Sequence, residues 1–528
     1  MAHTSHHIAR SAGLISVATL ISRVLGLVRE QMIAYLFSRT ATDAFYVAFR
    51  IPNLLRDLFA EGAMSSAFVP TFTEYLKKRS AKEAWQLASH VLSLLLIALS
   101  VICFLGILSS NWLISQFAGE FRSIPEKFDL TVVMTQIMFP FLPLIALAAV
   151  VMGVLNAQGT FFLPALAPAL FNLGSIGVAI GLYSWLKSRG INPIIGMAVG
   201  TLAGGLLQLM VQIPPLVRAG FRFSFGLDFR HPGVQRILLL LGPGTLGLAS
   251  TQVNILVNTW LATQQGEGPV SWLNYAFRLM QFPLGIFGVA IATAALPTIS
   301  THVANRDHAS LGKTISDSLR MVLLINIPAS VGLMVLSRPI IALIYQHGRF
   351  KASDTIQTAN ALIFYSIGLF AYSAVKVLVP AFYALGRSHV PVAISAVTVA
   401  FNVASNLLLV GPLGFRGLAL GTSLASLFNL FLLLYWMRRY AVSIDYQSNV
   451  KVLVKILLAA GLMGLGCFAS YGWMENVFTP LRIWQVGIAL CASIVFGLLI
   501  LILSAKVLRV SELETIWQLV LKRIRPPS

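Results

Sequence analysis

At 528 residues, with 57% hydrophobic and 11% charged side chains and a mean hydropathy of +0.81, the chain holds far more apolar material than soluble cores enclose, which excludes a string of soluble domains. The net charge of +20 comes from basic residues dispersed over loops, so it points to membrane topology and excludes nucleic acid as the partner. No Walker loop, His-Glu-x-x-His or Gly-x-Ser-x-Gly pattern occurs, and Cys103, Cys467 and Cys491 lack pairing or metal-ligand spacing, so neither an enzyme nor a cofactor or metal site is expected.

Apolar windows of about 20 residues predict spans near 12–37, 43–73, 87–117, 130–157, 163–186, 192–218 and 237–264. Seven more follow near 270–300, 315–336, 357–384, 390–411, 416–440, 451–473 and 483–506. The first span should persist, because Arg23 and Arg29 interrupt it and no cleavage pattern ends it. Fourteen spans place both termini on one side. Basic residues are about twofold in excess in the loops on that side, which makes it the cytoplasm. The stretch 338–351 is too short to cross and should lie at the outer surface. The link 219–236, GFRFSFGLDFRHPGVQRI, reads either as an interfacial segment or as a plain linker.

Arg23 and Arg29 fall in the first span, Arg50 and Arg56 in the second and Arg278 in the eighth. Each costs roughly 2.5 to 3.5 kcal/mol at a bilayer centre, so an anion is expected to meet them. Arg50, Asn53, Asp57 and Glu61 recur at helical spacing, a polar stripe that must face the interior, with Arg56 beside it. Pro52 and Gly62 are where that long helix is expected to bend. Guanidinium forks suit phosphate oxygens better than the point charge of lysine. Alternatively, Arg23 and Arg56 bridge to Glu30, Asp57 or Glu61 and only fix packing. In ATDAF, Thr42 or Asp43 is expected to cap the second helix, or Asp43 to act as a counter-ion. Lys376 either adds a cation to the second half or snorkels outward.

Ala48-Phe49-Arg50 recurs as Ala276-Phe277-Arg278, followed by Pro70 and Pro297 at matching distances. Ala157, Gly159 and Pro164 recur as Ala384, Gly386 and Pro391 at the same offset. Two duplicated six-helix lobes are inferred, 1–225 and 226–445, with 446–528 holding two extra helices and a basic tail. The predicted fold is an all-α polytopic membrane protein of fourteen transmembrane helices, two pseudo-symmetric lobes around a central cavity plus two C-terminal helices.

SRVLGLVRE (22–30), TDAFYVAFRIPNLLRDLFAEGAMSSAFVP (42–70) and VSWLNYAFRLMQFPLGIFGVAIATAALP (270–297) resemble the MurJ (MviN) family of the multidrug/oligosaccharidyl-lipid/polysaccharide exporter superfamily. The resemblance runs through nearly all spans. It implies a lipid II flippase of the bacterial inner membrane that works by alternating access, with lipid II and membrane lipids as partners and cell-wall synthesis proteins as further ones. It also implies that Arg23, Arg29, Arg56 and Arg278 form the cationic site, that Asp43 and Glu61 are its acids, and that the last two helices form a groove for the polyprenyl tail. Gln281 and Phe277 stand where relatives place acids. Asn258, Asn402, Asn406 and Thr422 stand nearest to where sodium-coupled relatives have acidic ligands, which argues against a sodium site. Flipping of another polyprenyl-linked saccharide, or a non-transporting cell-wall scaffold, are the alternatives.

Overall fold

Hydrocarbon offers no hydrogen-bond partners, so a spanning chain must satisfy its backbone internally, and this one does so as helices. The computed structural model describes residues 2–58, 63–440, 445–478, 482–510 and 512, with no strand among them. The chain packs as two units divided after Ser271. The first contains α1 (Ala2–Leu36), α2 (Arg39–Arg56), α3 (Ala63–Lys78), α4 (Ala81–Ala118), α5 (Lys127–Met138), α6 (Phe141–Ala157), α7 (Phe162–Ser188), α8 (Ile195–Met210), α9 (Ile213–Arg218) and α10 (Pro232–Thr263). α11 (Pro269–Pro283) begins at the division. The second unit continues with α12 (Val289–Ala304), α13 (His308–Val335), α14 (Ser337–Tyr345), α15 (Ala352–Ile367), α16 (Leu369–Ala384), α17 (His389–Leu413), α18 (Phe415–Arg439), α19 (Tyr446–Val477) and α20 (Ile483–Val507). The packing boundary lies beyond residue 225 because α10 packs on α3 and α4.

Among the described residues ten helices, or eleven when the pair bent by 42° at Gly368 counts as one span, are long and apolar enough to cross a membrane. Fourteen were expected. The difference falls on α1, on α2 with α3, and on α10. α1 and α2 carry the arginines and acids, and α2 passes into a π-helical turn at Asp57 and Leu58, the last described residues before α3. Pro52 sits inside α2 and the chain turns π-helical after Arg56, while Gly62 lies outside the described residues. One finer expectation is corrected here. The α2 cap is Ser38, whose Oγ accepts the Ala41 N–H at 3.4 Å, because the helix starts at Arg39, ahead of Thr42 and Asp43. The segment too short to span forms α14, nine residues long.

Each unit carries its half of the sequence repeat in matching local form. Gly159 (φ +82°) closes the turn after α6, and Gly386 (φ +69°) closes the turn after α16, a left-handed conformation that costs an L residue with a Cβ about 1 kcal/mol or more. Pro70 lies inside α3 and Pro297 inside α12. The helix after Ala-Phe-Arg passes into a π-helical turn at Asp57 in one unit and at Leu284 in the other.

Lipid tails are as apolar as leucine, so helix pairing in a bilayer relies on close backbone approach at small residues. α7 and α8 pair this way. A Cβ at Gly200 would lie 2.5 Å from the Ser175 carbonyl oxygen, and one at Gly204 2.5 Å from that of Phe171. The α17–α18 pair repeats the device, a Cβ at Gly417 falling 2.4 Å from the Leu409 carbonyl oxygen. Gly417→Ala must push two backbones apart and is expected to destabilise by about 1 to 3 kcal/mol, whereas Gly461→Ala on α19 meets open space and should not. Thermal unfolding of the two purified variants in one detergent checks this. Equal melting temperatures would refute the close-packing account.

Candidate functional site

Among the described residues, the buried charged side chains of the first unit, Arg29, Glu30, Asp43 and Lys127, lie on α1, α2 and the start of α5. α1 lies along α7, where Asn172 Nδ2 donates to the Ser22 carbonyl at 3.2 Å. This clamp sets the next turns of α1, which carry Arg29 and Glu30. Glu30 is wholly buried, accepting from Arg29 Nη2 at 3.0 Å and from the Tyr46 hydroxyl of α2. The Arg29 guanidinium, itself buried, stands 5.5 Å from the centre of the Phe171 ring on α7. Arg23, two turns earlier, is exposed.

α2 presents the polar stripe expected of it. Arg50 and Asn53 are half-buried. Arg56 places Nε and Nη2 on Asp57 Oδ1 at 3.0 and 2.7 Å. The other oxygen of Asp57 accepts from Asn53 at 3.4 Å and from Gln252 of α10 at 3.1 Å. Asp57 is therefore a hub for three side chains, and the Arg56 side chain is 23% exposed. Glu61 lies outside the described residues.

Asp43 is placed differently from the arginines. Its carboxylate is fully buried against Lys127 Nζ of α5 at 3.0 Å. It also accepts the backbone N–H of Gly268 at 2.6 Å and of Ser271 at 2.9 Å, and the Ser271 hydroxyl at 2.6 Å. The acid thus caps the backbone where α11 begins, 225 to 228 residues away, and not its own helix. Lys127 is fully buried and also lies 3.9 Å from the centre of the Phe121 ring. Its only sequence signal was its place at the start of a span, which ordinarily means a solvated end. The electrostatic result is that Lys127 neutralises Asp43, while Glu30 pairs with Arg29 and Asp57 with Arg56. Cations set at membrane depth favour an anionic ligand.

In the second unit Arg278 is exposed on α11. Its helix is fixed by Trp272, whose Nε1 donates to Asp354 at 3.0 Å, and by Tyr275, packed 4.8 Å from Tyr345. Phe277 packs on Tyr365 at 5.3 Å. Lys376 is exposed. The buried pair Asn402 and Asn406 bond to each other at 2.8 Å, and the Thr422 hydroxyl bonds to the Leu418 carbonyl at 2.7 Å.

Residues 32–487 match the family described as lipid II flippase MurJ. The lipid II flippase MurJ of Burkholderia cenocepacia is 35% identical over 500 residues, covering 92% of this chain and 95% of that protein. The probable lipid II flippase MurJ of Vibrio cholerae is 32% identical, covering 92% and 95%. Among solved structures, a lipid II flippase MurJ in an inward closed conformation superposes with a TM-score of 0.78 at 26% identity, covering 94% of this chain and 98% of that one. An inward-facing multidrug transporter of the MATE family superposes at 0.68 with 16% identity, covering 81% and 98%, a likeness of fold alone.

Proposed function

The chain belongs to the lipid II flippase MurJ family, and on that premise we propose that it carries the undecaprenyl-diphosphate-linked peptidoglycan precursor from the inner to the outer leaflet of the bacterial cytoplasmic membrane. It is a transporter and performs no chemical reaction on its cargo. The observation that carries the substrate assignment is the match of residues 32–487 to the lipid II flippase MurJ family, and the cluster of Arg29, Arg50 and Arg56 on α1 and α2 supports it. A diphosphate offers paired acceptor oxygens that a guanidinium fork can grip.

Arg23, Arg29, Arg50, Arg56 and Arg278 are proposed as the headgroup contacts, with Asn53 and Glu61 at their margin and Asp43 holding the surrounding helices. We further propose that α1, α2 with α3, and α10 also cross, which brings the spans to fourteen with both termini cytoplasmic. The lobes would then be 1–225 and 226–445, followed by 446–528. The matched turns at Gly159 and Gly386 and the paired π-helical turns support that duplication. Alternating access follows as the mechanism, the tail staying in lipid while the lobes rock around the bound headgroup.

The test is replacement. A cell depleted of its own lipid II flippase and supplied with this chain is expected to resume growth and to show precursor in the outer leaflet. Normal insertion without that precursor would end the assignment.

A further inference from the structure

Residues 219–231 leave α9 and reach α10 along the outside of α4. The backbone N–H of Ser224 donates to Ser89 Oγ at 3.4 Å and that of Gly226 to Ser93 Oγ at 3.3 Å. Hydroxyls four residues apart on a helix are about 6 Å apart, which two residues of chain cover only when nearly extended, at roughly 3.3 Å each. The His90 ring, through Nδ1, bonds the Gly226 carbonyl at 3.0 Å. A Cβ at Gly226 would crowd that ring at 3.0 Å. Phe221 packs edge-on to Trp85 at one end, and at the other His231 caps α10 by accepting the Gly233 N–H at 3.2 Å. Burial, with His90 beside it, holds His231 below its ordinary pKa, which suits a ring nitrogen that must accept. The segment is a strap with both ends fastened.

Its free face is apolar. Phe223 (51% exposed), Phe225 (63%), Leu227 (46%) and Phe229 (57%) alternate along it, and residues two apart on an extended chain share a face. The depth of this row can be read from α4. Ser89 and Ser93 lie between the exposed Lys82 and the first exposed apolar side chains, Leu96 and Ile97. That transition from charged to apolar surface marks the edge of the hydrocarbon. Arg218, Arg222 and Arg230 are exposed on and beside the strap, whose one acid, Asp228, is engaged by the Arg230 N–H at 2.9 Å.

We propose that this strap is an interfacial anchor that seats its aromatic row at the acyl boundary and takes the phosphates of anionic phospholipids of the surrounding leaflet on Arg222 and Arg230. The apolar row supplies depth and the arginines supply preference for negative headgroups. The partner is the bulk leaflet and not the transported lipid.

The full chain, with Cys103, Cys467 and Cys491 replaced by serine and with Phe225→Cys carrying an environment-sensitive fluorophore, is placed in nanodiscs of phosphatidylcholine with or without phosphatidylglycerol. Blue-shifted emission, quenched by headgroup-labelled lipid, is expected. Phosphatidylglycerol should be enriched around the protein, and Arg222→Ala with Arg230→Ala should lower that enrichment about fivefold per arginine, while lysine at both positions retains it. A label at Phe229→Cys repeats the reading should the first site disturb packing. Water-like emission at both labels, or no response to removing the arginines, overturns the proposal. Displacement of phosphatidylglycerol by undecaprenyl diphosphate also overturns it, by giving the arginines to the transported lipid.

Discussion

Lys127→Ala is expected to destabilise the protein by about 3 to 5 kcal/mol, because it leaves the Asp43 carboxylate charged, fully buried and without its counter-ion. The three donors from Gly268 and Ser271 remain, yet they satisfy hydrogen bonds without cancelling the charge. Lys127→Met combined with Asp43→Asn removes both charges at similar volume and should recover part of the loss, so the two changes are not additive. Thermal unfolding of the single and double variants in detergent measures this. A Lys127→Ala protein that melts with the parent, or a double variant no better than the single, would mean that the buried pair holds nothing. The same variants bear on transport, because the carboxylate joins α2 and α5 to the chain entering α11.

Arg56→Ala is expected to weaken binding of undecaprenyl diphosphate by about ten- to a hundredfold, the effect of losing one charged hydrogen-bonding group worth about 1.5 to 3 kcal/mol. Folding should change less than on Lys127→Ala, since Asp57 is 20% exposed, so that water screens its charge, and Asn53 and Gln252 still bond it. Arg56→Lys keeps the charge but loses the fork, and should fall between the two. Binding of a fluorescent polyprenyl diphosphate to the reconstituted chain provides the measurement. If affinity is unmoved while the melting temperature falls, Arg56 serves packing alone. Arg29→Ala is a poorer probe, because it also strips Glu30 of its buried partner.

The candidate arginines were legible from residue type. Arginines inside apolar windows stand out because bilayers penalise them, and the Ala-Phe-Arg repeat picked out Arg50 and Arg278, which the structure leaves half-buried and exposed respectively. A second repeat passed unread: Gly196, Ala198, Gly200 and Thr201 of α8 recur as Gly417, Ala419, Gly421 and Thr422 of α18, each on a tightly packed hairpin. Small residues raise little hydropathy signal, which is why windows tuned to apolar content pass over them. The π-helical turn after Arg56 has no signal in residue type, and Pro52, where a bend was expected, lies inside α2.

Composition and local pattern by themselves determined the membrane class and the family, and picked out the arginines proposed for the headgroup, because hydropathy, intramembrane charge and motifs are written residue by residue. Only tertiary structure decided which charges cancel. Lys127 reaches Asp43 across 84 residues, and Gly268 and Ser271 reach it across more than 220, pairings that no local spacing encodes. The strap on α4 belongs to the same group, for its serine partners lie about 135 residues away. Long-range electrostatic and hydrogen-bond partners follow from how helices pack, and helix packing depends on every residue at the contact together.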